Sequence, residues 1–235
     1  MQNNLDFQTF ILVSPKKFVL TVTDLKNEII FEKVYKNTHV DEIKEINYTA
    51  LGDFLKKNII EIEKRLKKFI ETVHLIIEYE NIYSINFSIK NKVDIISLDT
   101  KIVNELLVDA KSCCKDTLKD VDILHITIDQ FYVDDDYYDV FPDKKKCKNL
   151  SIDLSFICLP NYVLKNIKKL LSKYKISVDK AFSHPYLKSF SNEKSKNIYE
   201  IAQKVMSGLN ENEVSITNKS PKNRDFFEKF FEFFK

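Results

Sequence analysis

The chain has 235 residues, 44% of them hydrophobic, which is enough to bury a core in one large or two small domains and excludes a disordered chain. Its 37 basic and 35 acidic residues leave a formal charge of only +2, so no global field points to nucleic acid, and runs such as Lys144-Lys145-Lys146 and Lys64 to Lys68 read as solvated faces. No apolar run reaches the roughly 20 residues of a spanning helix, and Met1-Gln2-Asn3-Asn4-Leu5-Asp6 has neither the charged start nor the apolar middle of a signal peptide, so a cytoplasmic location is expected.

Phe10 to Val13, Phe18 to Thr23 and Ile29 to Tyr35 read as strands separated by the turn clusters Val13-Ser14-Pro15-Lys16-Lys17 and Asp24-Leu25-Lys26-Asn27, which predicts an antiparallel meander. Leu51, Phe54, Leu55, Ile59, Ile62, Leu66, Phe69 and Ile70 recur at helical steps and predict one long helix from about Thr49 to Glu71, with a strand Val73 to Glu78 after it. A second unit begins near Ile82 with the alternating Tyr83-Ser84-Ile85-Asn86-Phe87-Ser88-Ile89. It continues through a helix over Ile102, Val103, Leu106, Leu107 and Ala110 to a strand Val121 to Ile128, and Leu150 to Leu159 closes it as a strand. After Pro160 a helix runs through Val163, Leu164, Ile167, Leu170 and Leu171 into a short strand, Ile176 to Phe182. Ile198, Ile201, Ala202, Val205, Met206 and Leu209 mark a further amphipathic helix ending near Gly208, and Asn210 to Asn223 reads as linker. The class is mixed α/β.

The last ten residues hold six of the eighteen phenylalanines. At about 100° per residue, Phe226, Phe227, Phe230, Phe231, Phe233 and Phe234 fall within an arc of roughly 160°, with charged residues on the rest of the wheel. Lys222, Arg224 and Lys229 lie close by, a composition suited to the headgroup boundary of an anionic bilayer; the competing expectation is a terminal helix docked on its own domain. Six half-buried rings contribute on the order of several kcal/mol before the cost of ordering the helix, so binding should be weak and reversible unless a second signal assists it.

Signs of chemistry are few. Cys113, Cys114, Cys147 and Cys158 form no Cys-x-x-Cys pair and have no His at ligand spacing, so neither a zinc site nor a redox motif is expected. Asp134-Asp135-Asp136-Tyr137-Tyr138-Asp139 lacks the mid-loop Gly and closing Glu of a calcium loop and reads as a solvated turn. Only Gly52 and Gly208 exist, whereas phosphate loops need glycine for positive φ and close backbone approach, so no nucleotide cofactor is expected. His39, His74, His125 and His184 lie in no nucleophile or general-base motif; His125 sits in an apolar run and reads as a packed strand residue. No catalytic activity is expected.

The run Leu124-His125-Ile126-Thr127-Ile128-Asp129-Gln130-Phe131-Tyr132-Val133-Asp134-Asp135, followed by Phe141-Pro142, Leu150-Ser151-Ile152-Asp153 and Lys165-Asn166-Ile167, resembles the bacterial cell-division actin homologue FtsA. His125, Tyr132, Asp134 or Asp135, Pro142, Asp153 and Asn166 hold the places of that family's motif, and His184-Pro185-Tyr186 is similar to a further segment of it. The resemblance implies half of an actin-like fold: residues 1–79 and 160–190 as a first actin-type subdomain, 80–159 as an inserted strand-helix-strand-strand subdomain, 191–209 as an amphipathic helix, 210–223 as linker and 224–235 as a membrane-targeting helix. The family's first phosphate loop, an Asp-x-Gly-Ser/Thr element, would fall at Ser14-Pro15-Lys16-Lys17, where neither Asp nor Gly is present, and the second half of the actin cleft has no counterpart.

What the resemblance implies is a non-enzymatic membrane adaptor of bacterial cell division, peripheral on the inner face of the cytoplasmic membrane and without cofactor or metal. Its insertion subdomain would bind cell-division proteins, including a full-length FtsA, a late divisome component or another copy of itself, and its tail would bind anionic inner-membrane lipids. The alternative is a scaffold of pilus or secretion assembly similar to PilM, which shares the two-subdomain start but not such a tail.

Overall fold

The computed structural model describes residues 7–37, 44–191 and 197–214. It is mixed α/β, with two sheets and five helices among the described residues. In chain order these are β1 (Phe7–Val13), β2 (Lys17–Asp24), β3 (Ile29–Lys36), α1 (Tyr48–Leu66) and β4 (Thr72–Ile77). Then come β5 (Tyr83–Ser97), α2 (Thr100–Thr117), β6 (Val121–Val133), β7 (Asp136–Tyr138) and β8 (Lys146–Pro160). Last are α3 (Asn161–Ser172), β9 (Ser177–Ser183), α4 (His184–Ser189) and α5 (Ile198–Met206). The described residues divide into two units, within Met1–Tyr83, Asp120–Leu124 and Ile157–Glu211 and within Ser84–Lys119, His125–Phe156 and Asn212–Lys235.

The first unit is built on a five-stranded sheet of order β3-β2-β1-β4-β9. Its first three strands form the meander that the turn clusters predict, and β1, β4 and β9 run parallel to one another. Side chains alternate across the sheet. Ile11, Val13, Leu75 and Ile77 face α1 and α3, while Phe10, Leu12 and Ile76 face α4 and α5, so the central strands are buried on both faces and read as continuous apolar runs. Gly52 brings α1 close to α3: a Cβ there would stand 3.4 Å from Leu170 Cδ2.

The long predicted helix stops five residues short of Glu71, at Leu66. Lys67 takes the left-handed conformation (φ 53°), and the Glu63 carboxylate accepts the Ile70 backbone N–H at 3.1 Å, turning the chain towards β4. Phe69, which continues the helical spacing, is left 78% exposed.

The second unit has a four-stranded sheet of order β5-β8-β6-β7, with α2 presenting Val103, Leu106, Leu107, Ala110 and Cys114 as its buried side chains. The run expected to be a solvated turn contains β7 instead. Asp134 adopts φ 55° and its carboxylate accepts the Lys148 and Asn149 backbone N–H groups at 3.0 and 2.9 Å, so the chain reverses there and Asp136–Tyr138 pairs back on Phe131–Val133. The opening residues of the expected linker are also structured. Glu213 bridges Thr127, the Ile128 N–H donates to the Asn212 carbonyl at 2.9 Å, and the Val214 N–H donates to the Ile126 carbonyl at 2.8 Å. An apolar Val214 and a carboxylate matched to a buried imidazole explain the pairing that a polar composition conceals.

Candidate functional site

In an open sheet with parallel strands, ligands bind beyond the carboxyl ends of those strands. Here that edge is where β1, β4 and β9 end, at Val13, Ile77 and Ser183. The turn after β1 is closed on itself. The Ser14 N–H donates to the Lys17 carbonyl at 2.9 Å, the Ser14 hydroxyl donates to the same carbonyl at 3.1 Å, and the Lys17 N–H donates to Ser14 Oγ at 3.0 Å. Pro15 has no N–H. Three of the four turn residues therefore have no backbone donor left to aim at a phosphate, which a nest of convergent amides requires.

Glu78 follows β4 with its N–H on the Val13 carbonyl at 3.0 Å, and its carboxylate stands 3.9 Å from His184 Nδ1. Burial pushes the His184 imidazole below its usual pKa; Glu78 opposes the shift, and Lys17 and Lys188 add to it. Ser183 Oγ caps α4 by accepting the Tyr186 N–H at 3.3 Å. Among the described residues both serine hydroxyls at this edge are thus engaged in a turn or a cap, and the His184 imidazole lies beyond hydrogen-bond reach of Glu78, so neither serine is paired with it as nucleophile and base. Beside it, Tyr79 donates to Glu45 at 2.8 Å and meets the Tyr162 hydroxyl at 2.5 Å; burial first, then these hydrogen bonds, raise the Tyr79 pKa.

In the second unit the solvent-facing side of the sheet is a polar lattice. Ser155 donates to Asp129 at 2.5 Å and contacts Asn86 at 3.0 Å, and Ser88 donates to Asp153 at 2.6 Å. Apolar surface is offered elsewhere, at Tyr137 (70% exposed) and Val140 (59%) near the β7 hairpin and at Val108 on α2.

The six tail phenylalanines, Lys222, Arg224 and Lys229 lie outside the described residues. The positions that carry the resemblance do not converge on one site. His125 is buried with Nδ1 2.9 Å from Glu213, Tyr132 donates to Gln130 at 3.1 Å, Asp134 holds the β7 reversal, Asp153 accepts from Ser88, and Asn166 hydrogen-bonds Tyr48. Each has a structural partner. Glu213 escaped sequence reasoning because its partner lies 88 positions away; the apolar Val214 beside it was the available signal. Among the described residues no group of three His, Cys, Asp or Glu could hold a metal ion, and no helix is long and apolar enough to cross a membrane.

No family model matches the chain, and no curated protein matches it. Among solved structures it is similar to a PilM-PilN type IV pilus biogenesis complex, with 10% identity, 77% of this chain and 48% of that chain covered, and a TM-score of 0.43. It is similar also to a Bacteroides thetaiotaomicron protein with an actin-like ATPase fold and unknown function (10% identity, 78% and 55% covered, TM-score 0.30). A third is the ethanolamine utilization protein EutJ from Carboxydothermus hydrogenoformans (10% identity, 87% and 68% covered, TM-score 0.28). The chain spans about half the length of the first two, and at 10% identity the likeness assigns no residue role.

Proposed function

We propose that the chain is a non-enzymatic, actin-type scaffold of bacterial cell division that displays its second unit to protein partners and tethers itself to the inner face of the cytoplasmic membrane through the Phe-rich tail. One observation carries this reading. β4 and β9 are neighbours in one sheet, yet the connection between them holds the core strands and helix of the second unit, where the resemblance to FtsA expects an inserted subdomain. A crossover needs only a dozen or so residues. The longer connection serves display, and Tyr137 and Val140 offer the apolar contact.

The closed Ser14–Lys17 turn supports the absence of nucleotide chemistry, because an amide already donating to its own turn cannot also stabilise a phosphate without breaking that bond. Calorimetry with Mg-ATP tests this half of the reading. No binding is expected, and a dissociation constant at or below about 10 μM, roughly 7 kcal/mol, overturns it.

The partner half is tested by co-precipitation of the full chain with division proteins, comparing wild type with Tyr137→Glu/Val140→Glu. The reading expects the double substitution to remove the captured division proteins while circular dichroism stays unchanged. Capture of pilus-assembly proteins instead would replace cell division with the pilus alternative.

A further inference from the structure

The edge of the first sheet opposite the closed turn has a different chemistry. β1 pairs with β2 so that Phe7 lies against Asp24, and β1, β4 and β9 are parallel. The β2–β3 turn, the α1 end that leads into β4 and the α3 end that leads into β9 therefore all project from one side. The Ser177 N–H on the Glu71 carbonyl, 2.9 Å, ties the last two together. At about 4.8 Å between strands, this edge is a row roughly 20 Å long.

Among the described residues the most exposed large apolar side chains of that row are Phe69 at 78% and Leu25 at 70%, and Ile29 at the start of β3 is exposed as well. Basic residues surround them. α1 contributes Lys64, Arg65, Lys67 and Lys68 in and just after its last turn. Lys26 joins from the β2–β3 turn, and Lys173 and Lys175 from the turn after α3; all seven basic side chains are exposed. Among the described residues the acidic side chains of these turns are Asp24, Glu28, Glu63 and Glu71, of which Asp24 and Glu63 are drawn inward by backbone N–H groups.

We propose that this edge is a second docking surface for anionic lipid, with Phe69 and Leu25 entering the headgroup boundary and the lysines meeting the lipid phosphates and carboxylates. Charge complementarity selects this occupant. Exposed apolar tips set among seven exposed basic side chains fit a fluid anionic interface, and each lysine near an anionic membrane gains about fivefold in affinity. The inference rests on the membrane-tether reading and supplies the second signal that a weak tail needs.

The chain contains no tryptophan, so Phe69→Trp gives a unique fluorescent reporter in that row. With vesicles of phosphatidylcholine and phosphatidylserine, its emission should shift to the blue and be quenched by brominated acyl chains, and with phosphatidylcholine alone it should not. Flotation of the full chain is the companion measurement. Lys64→Gln/Lys173→Gln should weaken binding about 25-fold at low salt, whereas the charge-matched Lys56→Gln/Lys57→Gln, away from the edge on α1, should change it much less. Absence of the Phe69→Trp shift overturns the proposal, whether or not the chain floats, and so does equal weakening by the two lysine pairs. The tail is judged separately through Phe227→Glu/Phe230→Glu: loss of flotation with no shift at Phe69→Trp leaves the tail reading standing alone, and a shift that persists in this double variant leaves the edge standing alone.

Discussion

The two edges of the first sheet are made from the same strands and differ in what their turns do with their polar groups. Where β1, β4 and β9 end, Ser14, Lys17 and Ser183 turn their hydrogen-bonding groups inward, and burial lowers the His184 pKa. Where those strands begin, the turns put basic and apolar side chains into water, with Phe69 stranded there by an early helix stop. An α/β sheet usually places function on the first edge. In this chain the hydrogen bonds close that edge, and the exposed basic and apolar groups of the proposed lipid surface lie on the other.

The largest expected effect comes from separating the helices that carry the basic row. Gly52→Val adds three carbons against Leu170, where even a Cβ would stand at 3.4 Å, and should destabilise the first unit by about 1–3 kcal/mol. Denaturant unfolding measures it, and a variant as stable as wild type would mean that α1 and α3 are not tightly packed.

Next in size is Ser14→Ala at the closed edge. It removes the oxygen that both donates to the Lys17 carbonyl and accepts the Lys17 N–H in a partly buried turn, so a loss of about 1–2 kcal/mol is expected. The variant should still not bind Mg-ATP in calorimetry; acquired binding would show that the turn merely occludes a competent site.

Lys67→Gly should act in two directions at the open edge. Glycine relieves the left-handed conformation at φ 53° and should raise stability by up to about 1 kcal/mol, while removal of the charge should weaken flotation with anionic vesicles about fivefold. A gain in both would break the link between that edge and lipid.

The smallest expected effect is a pH slope. Burial holds His74 and His184 below the ordinary 6.5, so as pH falls through about 6.5 the unfolded chain takes up protons that the folded chain refuses. Stability should be full above that pH and fall progressively below it. Melting temperature against pH should be flatter in His184→Gln; an unchanged slope would place that imidazole in contact with solvent.

Most strands and helices of the fold were legible from period alone: the meander, the three-and-four spacing of α1 and α3, and the alternation in β5 are local signals that packing did not override. β7, α4 and the pairing of Asn212–Val214 were not legible. β7 has three residues and α4 six, too few for a period to emerge, and the Glu213 contact depends on a buried histidine far back in the chain. The end of α1 was misread for a related reason. Phe69 and Ile70 keep the helical spacing, but a single left-handed Lys67 and one carboxylate-to-amide bond decide that the helix is over.

By itself, the sequence determined the alternation of apolar and polar residues, and hence the mixed α/β class, the meander and the helices that cover it. It also determined the chemical poverty of the Ser14–Lys17 turn, since a proline and two lysines cannot become a glycine-rich phosphate loop in any fold. Only the tertiary structure decided that Lys26, Lys64 and Lys173 belong to one surface. They are separated by 38 and 109 positions, and nothing local relates them. Their neighbourhood follows from the β2–β3 hairpin, which turns at that edge, and from two parallel crossovers, each returning its helix to the edge where the next strand begins, and that is a property of strand order rather than of any segment.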